Sequence, residues 1–467
     1  MRKPWLYNGF RQERPSPNGC NNQGLAMILP YKLATTNDQL TSRAGLLAIA
    51  HLMGRLKLSE TIDAHFPAPK SNRGFTPSIF IQSFVLMQHE GSFHLDDVKH
   101  LKEDNGLRKV LNLKHIPHAT TLGGWLHKMG SQTTSHRAWK RVNKSVLKAT
   151  LHNCKGVTLD VDATEIIANK KSGEWTYKKN KGFMPMVGHI AETGQVVACD
   201  FRPGNACPSR ENFEFIQQCE QSLPDDCFVK ALRIDSAGYQ EQIIRHCDEQ
   251  DIQYAIRAKL SPSLKVLAKE LPEEKWQPFL DKNGQPIEHQ QVYRTSHCIG
   301  NYEKAFTLVI QRKRVKGQAE LELETNEDAT ELVAGNCMYR AIATNRDDWD
   351  DSRIIHWYNQ RAEDSENRIK ELKLDFGAGT LPCSNFNANA LYLLLSALSY
   401  NLFALMRQLL PESLAHHRAL TIRWRLYAMA AKVVKTGRQV YVKLQTKNEV
   451  LLKQVLSLIQ EFSPTTI

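Results

Sequence analysis

The sequence predicts an α/β fold in which a central sheet domain is interrupted by a mainly β insertion and flanked by helical regions. Three observations lead there. Residues 41–150 carry the apolar spacing of helices, residues 156–258 switch to short alternating strands interleaved with helices, and a long helical pattern resumes near Ser352. The 467 residues, at about 100–200 per domain, allow two to four structural units, and 42% hydrophobic content suffices for a packed core.

Residues 1–40 are rich in Pro, Gly and Asn and have no sustained period, so an irregular arm is expected there. Residues 41–150 form the first helical region. Thr76-Pro77 reads as an N-cap with Pro at the first helical position, an apolar run reaches Met87, and Gly91 closes the helix. A second helix is expected from Asp96 to Leu111. After the link IPHAT a third runs from about Thr121 to Met129, ended by Gly130. Two short helices joined by a tight link, with Arg and Lys nearby, suit a helix-turn-helix for DNA binding or a dimerisation unit; an ordinary helical bundle has the same pattern.

At Gly156 the pattern changes. GVTLDVDAT reads as a strand, PMVGHIAETGQVVACDF as a hairpin turning at Glu192-Thr193-Gly194, and the residues around Asn212–Cys219 as a helix. CFVKALRID is a further strand, AGYQEQIIRHCDEQ a helix and IQYAIRAK another strand. Three strands, helix, strand, helix, strand is, by analogy, the order of a ribonuclease-H-like domain. Its first part would span 151–259. Residues 260–345, with the Asn-Gly turn of DKNGQP and the strand-like QVYRTSHCI, KAFTLVIQRKRV and MYRAIAT, predict a β-rich inserted subdomain. The core would resume over 346–385 with the helix HWYNQRAEDSENRIKELKL, and 386–467 would be a helical, basic C-terminal region. Within it, ALYLLLSALSYNLFALM (390–406) is broken by Ser396, Ser399 and Asn401 and falls short of the ~20 apolar residues a span needs, so it reads as a buried helix and no membrane partner is expected.

Lys and Arg number 61 against 49 Asp and Glu, a net charge of +12, which favours polyanionic partners: nucleic acid first, anionic membrane surface second. Ten cysteines include no C-x-x-C pair, which disfavours a structural zinc site. The charged N-terminus MRKPWLYNGFRQERP lacks an apolar stretch behind it and does not read as a signal peptide, so reduced thiols in the cytoplasm are expected.

Three acidic positions carry the chemical argument. Asp160 and Asp162 lie two apart on a strand and share a face, where two carboxylates repel unless a cation sits beside them. Asp162 is favoured over Asp160, although a strand-end Asp is also a common turn residue. Asp235 ends the strand LRID, where sites of open α/β sheets assemble, although taken alone it reads more plainly as a cap of the next helix. Glu366 stands on the long helix, seven residues before Lys373 and so within about 20° of it on one face; an exposed pair with Lys370 is the plainer reading. Taken together, three carboxylates from a first strand, a fourth strand and a helix beyond an insertion are suited to holding two Mg²⁺ ions about 3.5–4 Å apart. Mn²⁺ can substitute for such an ion, and no nucleophilic side chain is needed.

At these residues the chain resembles the bacterial insertion-sequence transposases with a DDE triad and a Tyr-Arg-Glu-Lys signature. The resemblance rests on GSFHLDDVKHL, LDVDAT, RIDSAGY, YNQRAEDSENRIKELK and the tail LTIRWRLYAMAAKVVKTGRQVYVKL. It implies Asp162, Asp235 and Glu366 as catalytic residues and metal ligands, with Tyr358, Arg361 and Lys373 contacting DNA phosphate or positioning the glutamate. Arg361 and Glu366, five residues apart, lie about 140° from each other on an ideal helix, a conflict with a shared face. Trp276 in the insertion is a candidate for base stacking, or else packs on its own subdomain. Lys170, Lys171, Lys178, Lys179 and Lys181 border the first strand and suit phosphates or plain solvent. Residues 407–447 hold nine Lys or Arg against Glu412 alone, which makes Arg423, Arg425, Lys432 and Arg438 candidates for DNA-backbone contact. The partners implied are double-stranded DNA, as transposon terminal inverted repeats and target, and a second copy of the chain in a homodimeric synapse. The rival readings are a catalytically inactive, transposase-derived DNA-binding protein and a ribonuclease-H-like nuclease without strand transfer.

Overall fold

The structure is a computed structural model, and it describes residues 32–463 apart from 72, 153, 208, 261–263, 265, 267–269, 315–330 and 335, with the side chains of 334, 363 and 364 also left undescribed. The expected arm therefore falls mostly outside the described residues. Gln39–Thr41 forms strand β1.

The first helices are α1 (Leu47–Arg55), α2 (Leu58–His65), α3 (Pro77–Glu90), α4 (Val98–Glu103), α5 (Asn105–Val110), α6 (Ala119–Gly130) and α7 (Thr133–Leu151). Helix α3 begins and ends where its residues direct: Thr76 is extended before Pro77, and Gly91 takes φ +99°, left-handed backbone that a Cβ would strain. The single helix expected over 96–111 is instead broken at Asp104, whose carboxylate accepts the Leu107 N–H at 2.7 Å and restarts the helix as α5.

The remaining strands are β2 (Gly156–Ala163), β3 (Ile166–Ile167), β4 (Glu174–Trp175), β5 (Lys181–Phe183), β6 (Met186–Ile190), β7 (Val196–Asp200), β8 (Phe228–Ile234), β9 (Gln253–Arg257), β10 (Gln277–Leu280), β11 (Pro286–Ile299), β12 (Tyr302–Arg314), β13 (Leu332–Ala334), β14 (Cys337–Thr344), β15 (Ala431–Thr436) and β16 (Gln439–Lys443). The main sheet runs β10-β11-β12-β14-β9-β8-β2-β6-β7, with β13 paired to β14. Strands β2, β8 and β9 are parallel, and the other pairs in it are antiparallel. Helices α8 (Asn212–Ser222) and α9 (Glu241–Glu249) follow β7 and β8. The insertion is not a sheet of its own: β14 pairs with β9, so the long β11–β12 hairpin extends the central sheet. The chain gives no sign of this because hydrogen bonding between strands far apart in sequence leaves no local pattern.

Helix α10 (Asp351–Asp375) crosses this sheet, and α11 (Phe386–Leu409) is buried among α1, α3, α6 and α7. By length and composition α11 could cross a membrane, yet its central residues lie inside the protein. The polar residues that interrupt its apolar run join helix to sheet. Asn401 accepts the Val196 N–H at 2.7 Å and donates to Val196 O and Asn143 Oδ1; Ser396 and Ser399 share Gln88 of α3. Helical regions at the two ends of the sequence thus share one core, because each presents an apolar face that only the other covers. The C-terminal region, expected to be helical, also contains strands: β15 and β16 form a hairpin that pairs with β1, after which Thr446–Glu461 (α12) returns to helix. The β-branched residues Val433, Val434, Val440 and Val442 and the turn at Gly437 favour strands there. The described cysteines are free thiols.

Candidate active site

The site forms where β2 and β8 end side by side. Asp160 stands opposite Arg233 and Val161 opposite Ile234. The next residues along the two parallel strands, which lie about 4.8 Å apart, are Asp162 and Asp235. A period of two puts Asp160 and Asp162 on one face, and Arg233 with Asp235 on the same face.

The two aspartates of β2 have different surroundings. Asp160 is fully buried, and its carboxylate is gripped by Arg233 through two hydrogen bonds of 2.7 Å. A planar guanidinium fork matches a carboxylate in this way and consumes its charge. Asp162 keeps 27% of its side chain exposed and has only a looser contact, Arg361 Nη1 at 3.6 Å. Burial pushes its carboxyl up to about 6; Arg361 opposes the rise, and the charges of Asp235 and Asp160 add to it. Asp162 therefore carries negative charge that the protein does not fully neutralise. Asp235 also caps the turn Ser236–Gly238, accepting the Ala237 N–H at 3.0 Å, so the capping role and a place beside Asp162 coexist.

Helix α10 lies across the strand ends. Tyr358 and Arg361 are buried, the guanidinium 5.5 Å from the ring centroid, and Arg361 also donates to Val161 O at 3.3 Å. Lys373 Nζ donates to Thr164 Oγ1 at 3.2 Å and Glu165 O at 2.5 Å, just beyond β2. Burial holds its ammonium below the usual lysine range; Glu165 opposes this and Lys178 adds to it. Glu366 does not join the group. The helix turns Arg361 and Ser365 inward and Glu366 outward to solvent, as 100° per residue requires. Ser365 Oγ, Arg361 Nε and both ring nitrogens of His189 are buried without a hydrogen-bond partner among the described residues. No cluster of three or more His, Cys, Asp or Glu able to hold a metal ion occurs among the described residues.

A family model described as Transposase DDE domain group 1 matches residues 30–464. The chain belongs to the DDE transposases of that group. No curated protein matches it. Among solved structures, this transposase is similar to a piggyBac transposase synaptic complex with hairpin DNA, at 10% identity and TM-score 0.41, over 92% of this chain and 84% of that one. A likeness at that level carries no detail of the site.

Three further residues of the candidate site are not singled out by the sequence. Arg233 neutralises Asp160. His189, on β6 opposite Asp160, lies 3.8 Å from its carboxylate and is held well below its ordinary value by burial and by Arg368, Arg361 and Arg233, so its ring is neutral. Arg368 donates to Ile190 O at 2.7 Å. Arg233 is legible, two residues before Asp235 and so on its face; His189 and Arg368 are not, because sheet pairing brings in the first and the packing of α10 on β6 the second.

The more distant candidates fare differently. Trp276 is buried, with the Arg312 guanidinium 4.3 Å from its ring centroid and Tyr293 and Tyr339 beside it. A base stacking there would have to displace its own subdomain, so the packing role replaces the stacking one. Arg423 is likewise buried, donating to His89 O and Gln88 O at 2.9 Å and to Asp375 O. It ties the end of α3 to the end of α10 and has no side left for a phosphate. Arg425 is exposed beside His417, and Lys432 and Arg438 are exposed on the C-terminal hairpin.

Proposed function

We propose that this transposase cuts DNA at the inverted-repeat ends of its own insertion sequence and joins the freed 3′-hydroxyl to target DNA, on a ribonuclease-H-like core. The observation that carries the reading is that Asp162 and Asp235 follow the last paired residues, Val161 and Ile234, of adjacent parallel strands and repel each other, with the charge of Asp162 not fully neutralised. The strand order β7-β6-β2-β8-β9, antiparallel up to β2 and parallel beyond it, supports the core assignment.

These two carboxylates suit a divalent cation, since hard oxygen donors in mutual repulsion are relieved by one. DDE transposases generally use such ions, and we take Mg²⁺, replaceable by Mn²⁺, as the one bound. When bound it supplies Lewis-acid polarisation of the phosphodiester and a more acidic attacking water. Asp162 and Asp235 would hold it. Arg361 sets the orientation of Asp162, whose side chain stays partly exposed, and Asp160 with Arg233 keeps the strand rigid beneath. Lys373, fixed to Thr164 and Glu165, brings positive charge to the strand end where a phosphate would lie. Glu366 becomes the third ligand if α10 takes up one extra residue as a π-bulge between Arg361 and Glu366. That rotates Glu366 by about 100° and leaves it about 40° from Arg361. The partners in this reading are double-stranded end and target DNA and a second copy of the chain, and the setting is the bacterial cytoplasm.

The outward Glu366 is the one feature that favours another reading, a transposase-derived DNA-binding protein without catalysis. Nicking of a DNA carrying the element's ends, with and without Mg²⁺, separates the two. Replacing Asp162, Asp235 or Glu366 singly by Ala should abolish nicking and leave end-binding in a mobility-shift assay intact. Strand transfer by any of the three variants overturns the assignment. Cleavage by the wild type without joined products on a supercoiled target would mark a simple nuclease.

A further inference from the structure

Beyond β2 the chain builds a small second sheet, β3-β5-β4, with no role in the site just described. Its anchor is apolar. Ile166 and Phe183 stand opposite each other and are buried, Phe183 packing on Phe201 with ring centroids 4.8 Å apart. The outer part is unusual for a protein surface: Ile167, Trp175 and Tyr177 are 60%, 66% and 64% exposed. Among them stand Lys170, Lys171, Lys178, Lys179 and Lys181, against one acid, Glu174, over residues 166–183. Lys181 pairs directly with Trp175, and Lys178 Nζ lies 5.6 Å from the Tyr177 ring centroid.

This surface is held in place from the catalytic strand. Glu165, three residues after Asp162, accepts from Thr176 Oγ1 and from Asn180 Nδ2, the latter at 3.2 Å, which pins the turn that presents Tyr177 and Lys178. The backbone carbonyl of the same Glu165 takes the Lys373 ammonium. Rings in such a frame lose little freedom when a flat partner stacks on them. Lysines among exposed rings complement a polyanion that also has π-faces. In duplex DNA those faces are already stacked on one another, so the rings can be reached only by unpaired nucleotides.

We propose that the β3-β5-β4 sheet is a stacking platform for unpaired nucleotides of the DNA strand that runs to or from the cut phosphodiester. Trp175 and Tyr177 receive bases, and Lys171, Lys178 and Lys179 take the phosphates between them. The inference rests on the DNA-cutting function proposed above for its purpose, but its test does not depend on cutting.

The test is fluorescence anisotropy of the full chain in EDTA, with a labelled oligothymidylate of about twenty nucleotides and a blunt duplex of equal length. Trp175→Ala and Tyr177→Ala should each weaken oligothymidylate binding on the order of tenfold and leave the duplex within about twofold. Trp175→Phe should keep most of the affinity. Lys178→Gln with Lys179→Gln should lower the slope of log K against log salt by about 1.4 for the single strand. Unchanged single-strand binding by the two ring variants overturns the proposal. So does an equal loss on both DNAs, which would mark a plain phosphate site, and so does dissociation of a dimer by Trp175→Ala, which would mark a subunit contact. A chain that binds the oligothymidylate through these rings but never nicks end DNA leaves the platform standing and removes the transposase chemistry. The reverse result does the opposite.

Discussion

Replacing Asp162 with Asn should stabilise the metal-free protein while destroying its activity. The carboxyl, ordinarily near 3.8, is pushed up to about 6. Each pH unit of such displacement corresponds to roughly 1.4 kcal/mol, so ionised Asp162 costs the folded state up to about 3 kcal/mol. With 27% of the side chain in contact with water, solvent screening lowers this to about 1–2 kcal/mol. The sign follows from the raised value. The folded chain binds this proton more tightly than the unfolded chain, so the penalty is full above about pH 6, shrinks as pH falls through it and is gone below about 3.8. Asn carries no such penalty. At roughly 2.1 cal/mol/K per residue, the unfolding entropy of this chain is on the order of 1 kcal/mol/K, so each kcal/mol moves the midpoint by about 1 °C. Calorimetry in EDTA at about pH 8 should show Asp162→Asn melting about 1–2 °C above the wild type, with the gap closing at about pH 4. Excess Mg²⁺ should raise the wild-type midpoint and not the variant's, because ligand bound only to the folded state stabilises it. A variant that melts lower at about pH 8, or a gap that does not depend on pH, would refute the claim that Asp162 holds uncompensated charge.

Two residues away, the opposite sign is expected. Asp160→Asn leaves Arg233 buried and unpaired, which should cost about 3–5 kcal/mol and lower the midpoint by several degrees. Glu366→Gln should reduce Mg²⁺-dependent cleavage on the order of 10³-fold, the scale of losing one electrostatic group at a reacting centre, and adding Ser365→Glu should recover at least about tenfold by placing a carboxylate on the Arg361 face. Full cleavage by Glu366→Gln alone would remove Glu366 from the site. Arg423→Ala should destabilise the chain by about 2–4 kcal/mol without changing the salt dependence of end-binding, whereas Arg438→Ala should lower that slope by about 0.9 at unchanged stability; denaturant melts and salt titrations read both.

Much of this protein is written locally. Pro77 and Gly91 bound α3, alternating β-branched residues mark β2 and β8, and Asp162 and Asp235 end strands whose carboxyl edges are where α/β proteins do chemistry. A one-dimensional pattern suffices for these because hydrogen bonds within a helix, and side-chain alternation along a strand, depend on near neighbours. The sequence already favours Asp162 over Asp160, but the physical difference between them is tertiary, since Arg233 reaches Asp160 from 73 residues away. The same holds for the insertion joining the central sheet through β14 and β9, the C-terminal hairpin closing on β1, the burial of Trp276 and Arg423, and the helix phase that turns Ser365 inward and Glu366 out. Charge and side-chain type are properties of the chain, but desolvation and pairing are properties of neighbours, and those exist only once strands and helices have packed.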